Sequence, residues 1–364
     1  MAMTTARDGT IRRRGLLAGG VGATVGVGLT ALPRASAAQA ASAPAAARPL
    51  PAYVGPKDPA ALIVHTPTTI ETRRAAFGNG VVTPTEQLFI RNNLPAPDAS
   101  IVADRDAWQL AVEGVRSPRT LTLGELKTIG IETVATVLQC SGNGRGFFPS
   151  KPPGTPWQVG AAGCVVWSGV PVRHLVERLG GIDAGARWMT GTGGETLPAG
   201  IDPLTVLVER SVGLKAMNDA ILAWELNGVP LPLAHGGPLR LVVPGYSGIN
   251  NVKYVRRLAF TEVESPARIQ QIGYRFTPPG QASKPSDPSI QEMNVKSFVT
   301  APAVEGGQRP RHGRRLRRRA ADPQGRGLDR RRQDLARRRL RRPGPRPLRV
   351  AAVRDPDAHG RRHL

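Results

Sequence analysis

Cys140 sits where an apolar run meets a glycine-rich loop, in Thr136-Val-Leu-Gln-Cys-Ser-Gly-Asn-Gly-Arg-Gly-Phe-Phe148. Gly142, Gly144 and Gly146 open the backbone, and Asn143 and Arg145 add hydrogen-bond donors. A guanidinium beside a thiol lowers its pKa towards the thiolate that binds metals, and a soft thiolate suits a redox metal. Three fates are open to this thiol. It can fill core space as a small hydrophobe, pair with Cys164 (the other cysteine of the chain) in an oxidising compartment, or bind a metal. No CxxC, HExxH or His-rich spacing accompanies it, which argues against zinc.

Further donors stand on loops elsewhere. Phe89-Ile-Arg-Asn-Asn-Leu-Pro-Ala-Pro97 puts Arg91 at a strand exit. His235-Gly-Gly-Pro-Leu-Arg240 places His235 and Arg240 at the two ends of a glycine turn, and Asn251-Val-Lys253 follows the loop Gly245-Tyr-Ser-Gly248. Singly, each is an ordinary surface charge. Together, Arg, His and Lys on glycine-rich loops suit a phosphate-bearing ligand.

These loops need strands and short helices to hold them. Trp108 to Gly114 alternates like a strand ending in a turn, and Leu239 to Pro244 reads as another. Thr120 to Lys127 resembles the start of a short helix, with Thr122 and Glu125 spaced as a capping box. Val170 to Leu179 has helical spacing and stops at Gly180-Gly181. Ile221 to Leu226 reads as a strand entering a tight Asn227-Gly228 turn. The fold class expected is α+β, of mixed sheets and short helices.

The chain of 364 residues carries a net charge of +23, but unevenly. Residues 301–364 hold 21 Arg and 6 acidic residues, whereas residues 41–300 are left with about +4, ordinary for a globular body. Arg12-Arg13-Arg14 precedes an apolar run and the small-residue pattern Ala35-Ser36-Ala37. That order predicts a twin-arginine-type export signal over 1–40 and a periplasmic or exported protein. The run is too short and glycine-rich for a permanent membrane span. An Ala/Pro-rich linker is expected over 41–61. Residues 301–364 contain no Lys, Ile, Phe, Trp, Tyr, Met or Cys. This tail is expected to be disordered, as a basic nucleic-acid arm or, the favoured reading, as a GC-rich gene read out of frame. It lacks aromatic interleaving and any reading module, so nucleic-acid binding is the rival rather than the leading function.

In order and spacing over about residues 80–280, these motifs resemble the sulfite oxidase family of molybdenum enzymes. Trp157, the segment Trp224 to Pro232 and Tyr274 in Ile-Gly-Tyr-Arg-Phe join the resemblance. It implies a molybdopterin-binding domain over 62–280 that holds molybdenum-molybdopterin (Moco), with Cys140 as the protein thiolate. Phe89, Ile90, Arg91, Asn92, Asn93, Asp202, His235, Arg240, Asn251, Val252 and Lys253 would hold the cofactor. Arg91 and Arg145 would form an anion pocket lined by Trp157 and Tyr274. The implied reaction is oxidation of sulfite to sulfate, with electrons passed to a haem protein such as cytochrome c. A sulfane-sulfur or sulfoxide substrate is the alternative.

The chain departs from the family pattern twice. Asn93 stands where the first loop usually ends in His. The family continues with an immunoglobulin-like sandwich through which it forms homodimers. Here Glu292 to Phe298 resembles that domain's first strand, so 281–300 is expected to be the start of that domain, and the Arg-rich tail over 301–364 replaces the rest.

Overall fold

The computed structural model of the protein describes residues 48–77 and 80–298. The expected export signal and the Arg-rich tail lie outside the described residues. In chain order the elements are β1 (Leu62–Thr66), β2 (Thr69–Thr72), β3 (Ile90–Arg91), β4 (Gln109–Glu113), β5 (Arg119–Thr122), α1 (Leu123–Lys127), β6 (Glu132–Gln139), β7 (Ala162–Pro171) and α2 (Val172–Arg178). There follow β8 (Trp188–Thr192), α3 (Pro203–Val206), β9 (Glu209–Gly213), β10 (Ile221–Leu226), β11 (Val229–Pro230), β12 (Arg240–Val242), β13 (Arg257–Thr261) and α4 (Arg268–Gln271). Short helices among three sheets make the expected α+β class.

One sheet orders β1-β2-β3, a second β11-β10-β7-β6 with β12 also on β10, and a third β5-β4-β13-β8-β9. The second sheet carries the chemistry. β6 pairs with β7 over eight positions, from Glu132 opposite Gly169 to Gln139 opposite Ala162. Cys140 therefore leaves a strand whose backbone is tied down to its last residue. β12 lies antiparallel on β10, with Arg240 opposite Ala223, and so presents the glycine turn beside the same sheet.

Local sequence explains several boundaries. Thr122 and Glu125 do form a capping box, each side chain bonding the other's backbone amide at the start of α1, worth about 1 kcal/mol. Asn227 and Gly228 both have positive φ, 52° and 79°, as the two-residue hairpin between β10 and β11 requires. The helix expected from Val170 begins at Val172, because Val170 and Pro171 finish β7.

The largest core packs β4, β5, β8 and β13 against α1 and α2, burying Leu110, Leu126, Leu175, Met189 and Leu258 among others. A second core of Leu88, Phe89, Leu138, Cys140, Trp157, Val165 and Trp167 lies under the thiol. Each such large side chain contributes roughly 1.5–3 kcal/mol when fully buried.

Two expectations about the flanks change. The end of the expected linker is folded: Ala52–Val54 and Pro59–Ala61 are short 3-10 turns, and Val54 and Ala61 are buried. Apolar Val54 and Tyr53 pack with Leu62, Ile70 and Ile90, which outweighs the Ala/Pro-rich composition. Conversely, Glu292 begins no strand. It makes an isolated bridge to Tyr246, and Ser289 makes one to Arg275, so the segment lies along the domain that precedes it. The buried Arg210 guanidinium holds it there, donating to Asn250 Oδ1 (3.1 Å), the Ile269 carbonyl (2.9 Å), Ser289 Oγ (3.0 Å) and the Ile290 carbonyl (3.3 Å).

Candidate cofactor and anion site

A pocket with an open volume of about 640 Å³ gathers segments that are remote in sequence. Phe89, Arg91, Asn92 and Asn93 line it from the β3 exit, Cys140 from the end of β6, and His235 and Arg240 from the glycine turn. Asn251, Val252 and Lys253 come from the loop before β13, and Tyr274 from just after α4. The donor-rich loops singled out in the sequence thus converge on one cavity.

The cations are rigidly held. Lys253 donates from Nζ to Asn92 Oδ1 and to the Ala234 carbonyl, both at 2.5 Å. Arg240 donates to the Asn251 carbonyl (3.2 Å) and the His235 carbonyl (2.8 Å), and its guanidinium lies 5.1 Å from the Trp167 ring. Gly236 (φ 105°) makes this approach possible, since a Cβ there would lie 2.8 Å from the Lys253 side chain. Burial pushes Arg240 down to about 10 and Lys253 well below its ordinary value, with Arg240 adding to the second effect. Burial also holds His235 well below its usual pKa, helped by Lys57, Lys253 and Arg240, so its imidazole is neutral at neutral pH.

Burial pushes the Cys140 thiol up, opposed by the Gly142 amide and by Arg91, Arg145 and Lys296. Arg145 alone was expected to lower it, but in the protein alone desolvation outweighs the cations. A bound metal reverses that balance, because a coordinating thiol is deprotonated outright. Neither cysteine is in a disulfide. Cys164 stands opposite Val137 in the β6–β7 ladder, away from the Cys140 loop.

Arg91 and Tyr274 meet through Asn93. Arg91 Nη2 donates to Asn93 Oδ1 at 2.7 Å, and the Tyr274 hydroxyl donates to the same oxygen at 3.4 Å. Asn93 thereby ties the first loop to the tyrosine. Tyr274 has φ 53°, a conformation that L side chains rarely adopt. It is held by Ile290, whose amide donates to its carbonyl at 2.7 Å. Arg145 projects back over its own loop, donating to the Thr155 carbonyl at 3.2 Å, with its guanidinium against Gly142 and Gly154.

Four expected site residues are placed elsewhere, Arg145 among them, because its guanidinium turns to the Thr155 carbonyl instead of the pocket. Asp202 is exposed and caps α3, accepting from the Leu204 amide at 3.0 Å. Ile90 points to the opposite side of β3 from Arg91 and is fully buried against Ile70. Trp157 lies in the core behind the pocket, edge-on to Phe89 (6.3 Å) and His65 (5.3 Å). Glu195 takes the acidic place in the pocket that Asp202 was expected to fill. It follows Gly193-Gly194, and burial pushes its carboxyl up to about 7 against the pull of its own amide and Lys253. Lys57 was also missed; it reaches His235 from outside the pocket lining.

The residues present fit a pterin cofactor bearing phosphate. Asn92 Nδ2, a donor, and Glu195 Oε2, an acceptor, are both buried without a partner in the same pocket. Asn92 also leans on the Tyr53 and Tyr254 hydroxyls, and burial leaves the Glu195 carboxyl partly protonated near neutral pH, so the pair suits a ligand that offers both acceptors and N–H donors. A pterin ring does, while the cations suit its phosphate and the thiol suits its metal.

Residues 95–269 match the oxidoreductase molybdopterin binding domain family. Sulfite oxidase from Gallus gallus is 33% identical over 231 residues, 61% of this chain and 49% of that protein. The mitochondrial sulfite oxidase of Drosophila melanogaster is 30% identical over 226 residues, 60% of this chain and 39% of that one. The chain carries an oxidoreductase molybdopterin binding domain and is similar to sulfite oxidases. The cofactor of this domain is molybdopterin. NADH nitrate reductase 2 of Phaseolus vulgaris is also 30% identical, over 241 residues that are 62% of this chain and 26% of that protein. The chain thus spans half or less of the length of these relatives. Among solved structures, the sulfane dehydrogenase SoxCD from Paracoccus pantotrophus shares the fold, with a TM-score of 0.55 and 23% identity over 75% of this chain and 66% of that one.

Proposed function

We propose that the protein oxidises sulfite to sulfate, taking oxygen from water and releasing two protons and two electrons, and that a c-type cytochrome receives the electrons. The observation that carries this reading is the cationic surround of Cys140. Arg91, Arg145 and Lys296 all act on the thiol electrostatically, and Arg91 lines the pocket beside it. Guanidinium forks suit a small oxyanion, to which they give directed, charge-assisted hydrogen bonds.

Within this reading, Cys140 supplies the thiolate to the metal. His235, Arg240, Lys253, Asn92 and Glu195 hold the pterin and its phosphate. When bound, the molybdenum centre supplies oxygen transfer and two-electron redox chemistry. Arg91, which lines the pocket, holds and orients the anion, and Arg145 joins it only by leaving the Thr155 carbonyl. The Tyr274 hydroxyl sits among cations, yet burial keeps it protonated; its long bond to Asn93 Oδ1 at 3.4 Å is given up when its one hydrogen turns to the substrate. Export through a twin-arginine-type signal suits an enzyme that folds around its cofactor before it crosses the membrane.

The test is metal analysis of the purified protein together with sulfite-dependent reduction of cytochrome c. A parallel arm offers thiosulfate as the donor to cytochrome c, and two further arms offer a sulfoxide or nitrate as the acceptor of electrons from a reduced viologen dye; together they decide among related substrates. Nitrate is included because a nitrate reductase is among the similar proteins. A molybdenum-loaded protein that turns over one of these and not sulfite refutes the sulfite assignment.

A further inference from the structure

Lys57 lies in the segment expected as linker, before the span matched to the family, and no role is assigned to it above. Its ammonium has three acceptors: the Thr85 carbonyl, the Leu88 carbonyl at 3.0 Å and His235 Nε2 at 2.7 Å. Burial lowers the Lys57 ammonium to about 7, so below that pH it carries three hydrogens; carbonyl oxygens only accept, two hydrogens are spent on them and the third is left for the imidazole. The His235 backbone is fixed as well, its carbonyl accepting from Arg240 at 2.8 Å. The imidazole has little freedom left except in which nitrogen carries its hydrogen.

His235 lines two cavities, the cofactor pocket and a second one bounded by Val54, Pro84, Thr85, Asn227 and Pro232. Lys57 lines only the second. It therefore approaches the ring from the side away from the cofactor pocket and occupies Nε2. Among the described residues, none hydrogen-bonds Nδ1.

We propose that Lys57 is a positioning residue that fixes the tautomer of His235, so that His235 presents an Nδ1 hydrogen to the cofactor. This rests on the reading that the first pocket holds the pterin. The tautomer matters because a neutral imidazole nitrogen either donates or accepts, and an acceptor facing a phosphate or a pterin carbonyl oxygen would repel it.

The experiment uses the full chain, made in hosts with and without pterin synthesis and labelled with ¹⁵N-histidine. His235→Gln identifies the His235 ring signals among the six histidines. At pH 6 the cofactor-free wild type is expected to show the Nδ1-protonated tautomer, Lys57→Met to lose it, and Lys57→Arg to keep it. In the competent host, released pterin per folded chain is expected to fall about tenfold in Lys57→Met and to recover at least in part in Lys57→Arg. An Nε2-protonated ring in the wild type overturns the proposal, as does an unchanged tautomer or unchanged pterin content in folded Lys57→Met. A wild type with the expected tautomer that never carries pterin would instead overturn the cofactor reading of the pocket.

Discussion

Lys253 Nζ lies 2.5 Å from Asn92 Oδ1, joining two loops that are 161 positions apart in the chain. The bond occupies the Asn92 oxygen and leaves its amide nitrogen as a buried donor without a partner. Asn92 is thus aimed by one neighbour and left unfinished for another. Lys253→Met is expected to lower pterin and molybdenum content about tenfold, since a hydrogen bond to a charged group is worth roughly 1.5–3 kcal/mol. Molybdenum per chain by mass spectrometry, with circular dichroism to confirm folding, checks this.

Cys140→Ser should abolish sulfite oxidation, to below about 1% of wild type, because a hydroxyl is a poorer donor to a soft redox metal. The fold should survive, since Ser is close in size and Cys140 follows the last residue of its strand rather than interrupting it. Wild-type turnover by a folded Cys140→Ser protein would remove Cys140 from the metal site.

Arg145→Gln is expected to raise KM for sulfite about 10- to 100-fold, with a smaller change in kcat, because a charge-assisted contact to the anion is lost. Steady-state kinetics over a wide sulfite range measure it. Unchanged KM would confine Arg145 to its contact with the Thr155 carbonyl.

Glu195 makes the cofactor-free protein pH-sensitive. Its folded pKa of about 7 lies above the ordinary 4.5, so the folded state keeps a proton that the unfolded chain releases. The stability this group allows is full below pH 4.5 and falls as pH rises to 7, by up to about 3 kcal/mol. Urea unfolding at pH 5 and pH 7.5 should show the fall in wild type, and Glu195→Gln should remove this component.

Arg210→Met should destabilise the domain by about 3 kcal/mol. It leaves the Ile269 carbonyl and Asn250 Oδ1 without this donor and frees the segment bearing Ser289 and Ile290. Because the Ile290 amide holds the Tyr274 carbonyl, the variant should also show faster hydrogen exchange around Tyr274.

What could be read from sequence was local. The Thr122–Glu125 capping box, the Asn227-Gly228 hairpin and the strand delivering Cys140 are set by neighbours within a few positions, and each forms as expected. The converging loops were legible only through their joint resemblance to a family, because spacing alone does not say that residues 91, 140, 235 and 253 meet. The period of 2 along β3 carried an unused signal: with Arg91 facing the pocket, Ile90 had to face the core. Glu195 and Lys57 had no such signal. One follows a glycine pair and the other lies in an Ala/Pro-rich stretch, and only the tertiary fold gives either a partner. Asp202 misled because Asp before Pro suits a helix cap as well as a ligand, and the cap is what forms.

The pocket draws on the stretches around residues 91, 140, 195, 235, 253 and 274, and no two neighbouring loops suffice to make it. A molecule seated there acts as a rivet through the finished domain and finds nothing to grip in a partly folded chain. Loading should therefore report completed folding, and the loaded form should gain stability against unfolding in proportion to the logarithm of free cofactor concentration over its dissociation constant. Damage to any one stretch should reach the cell first as an empty, short-lived protein rather than as a slow enzyme.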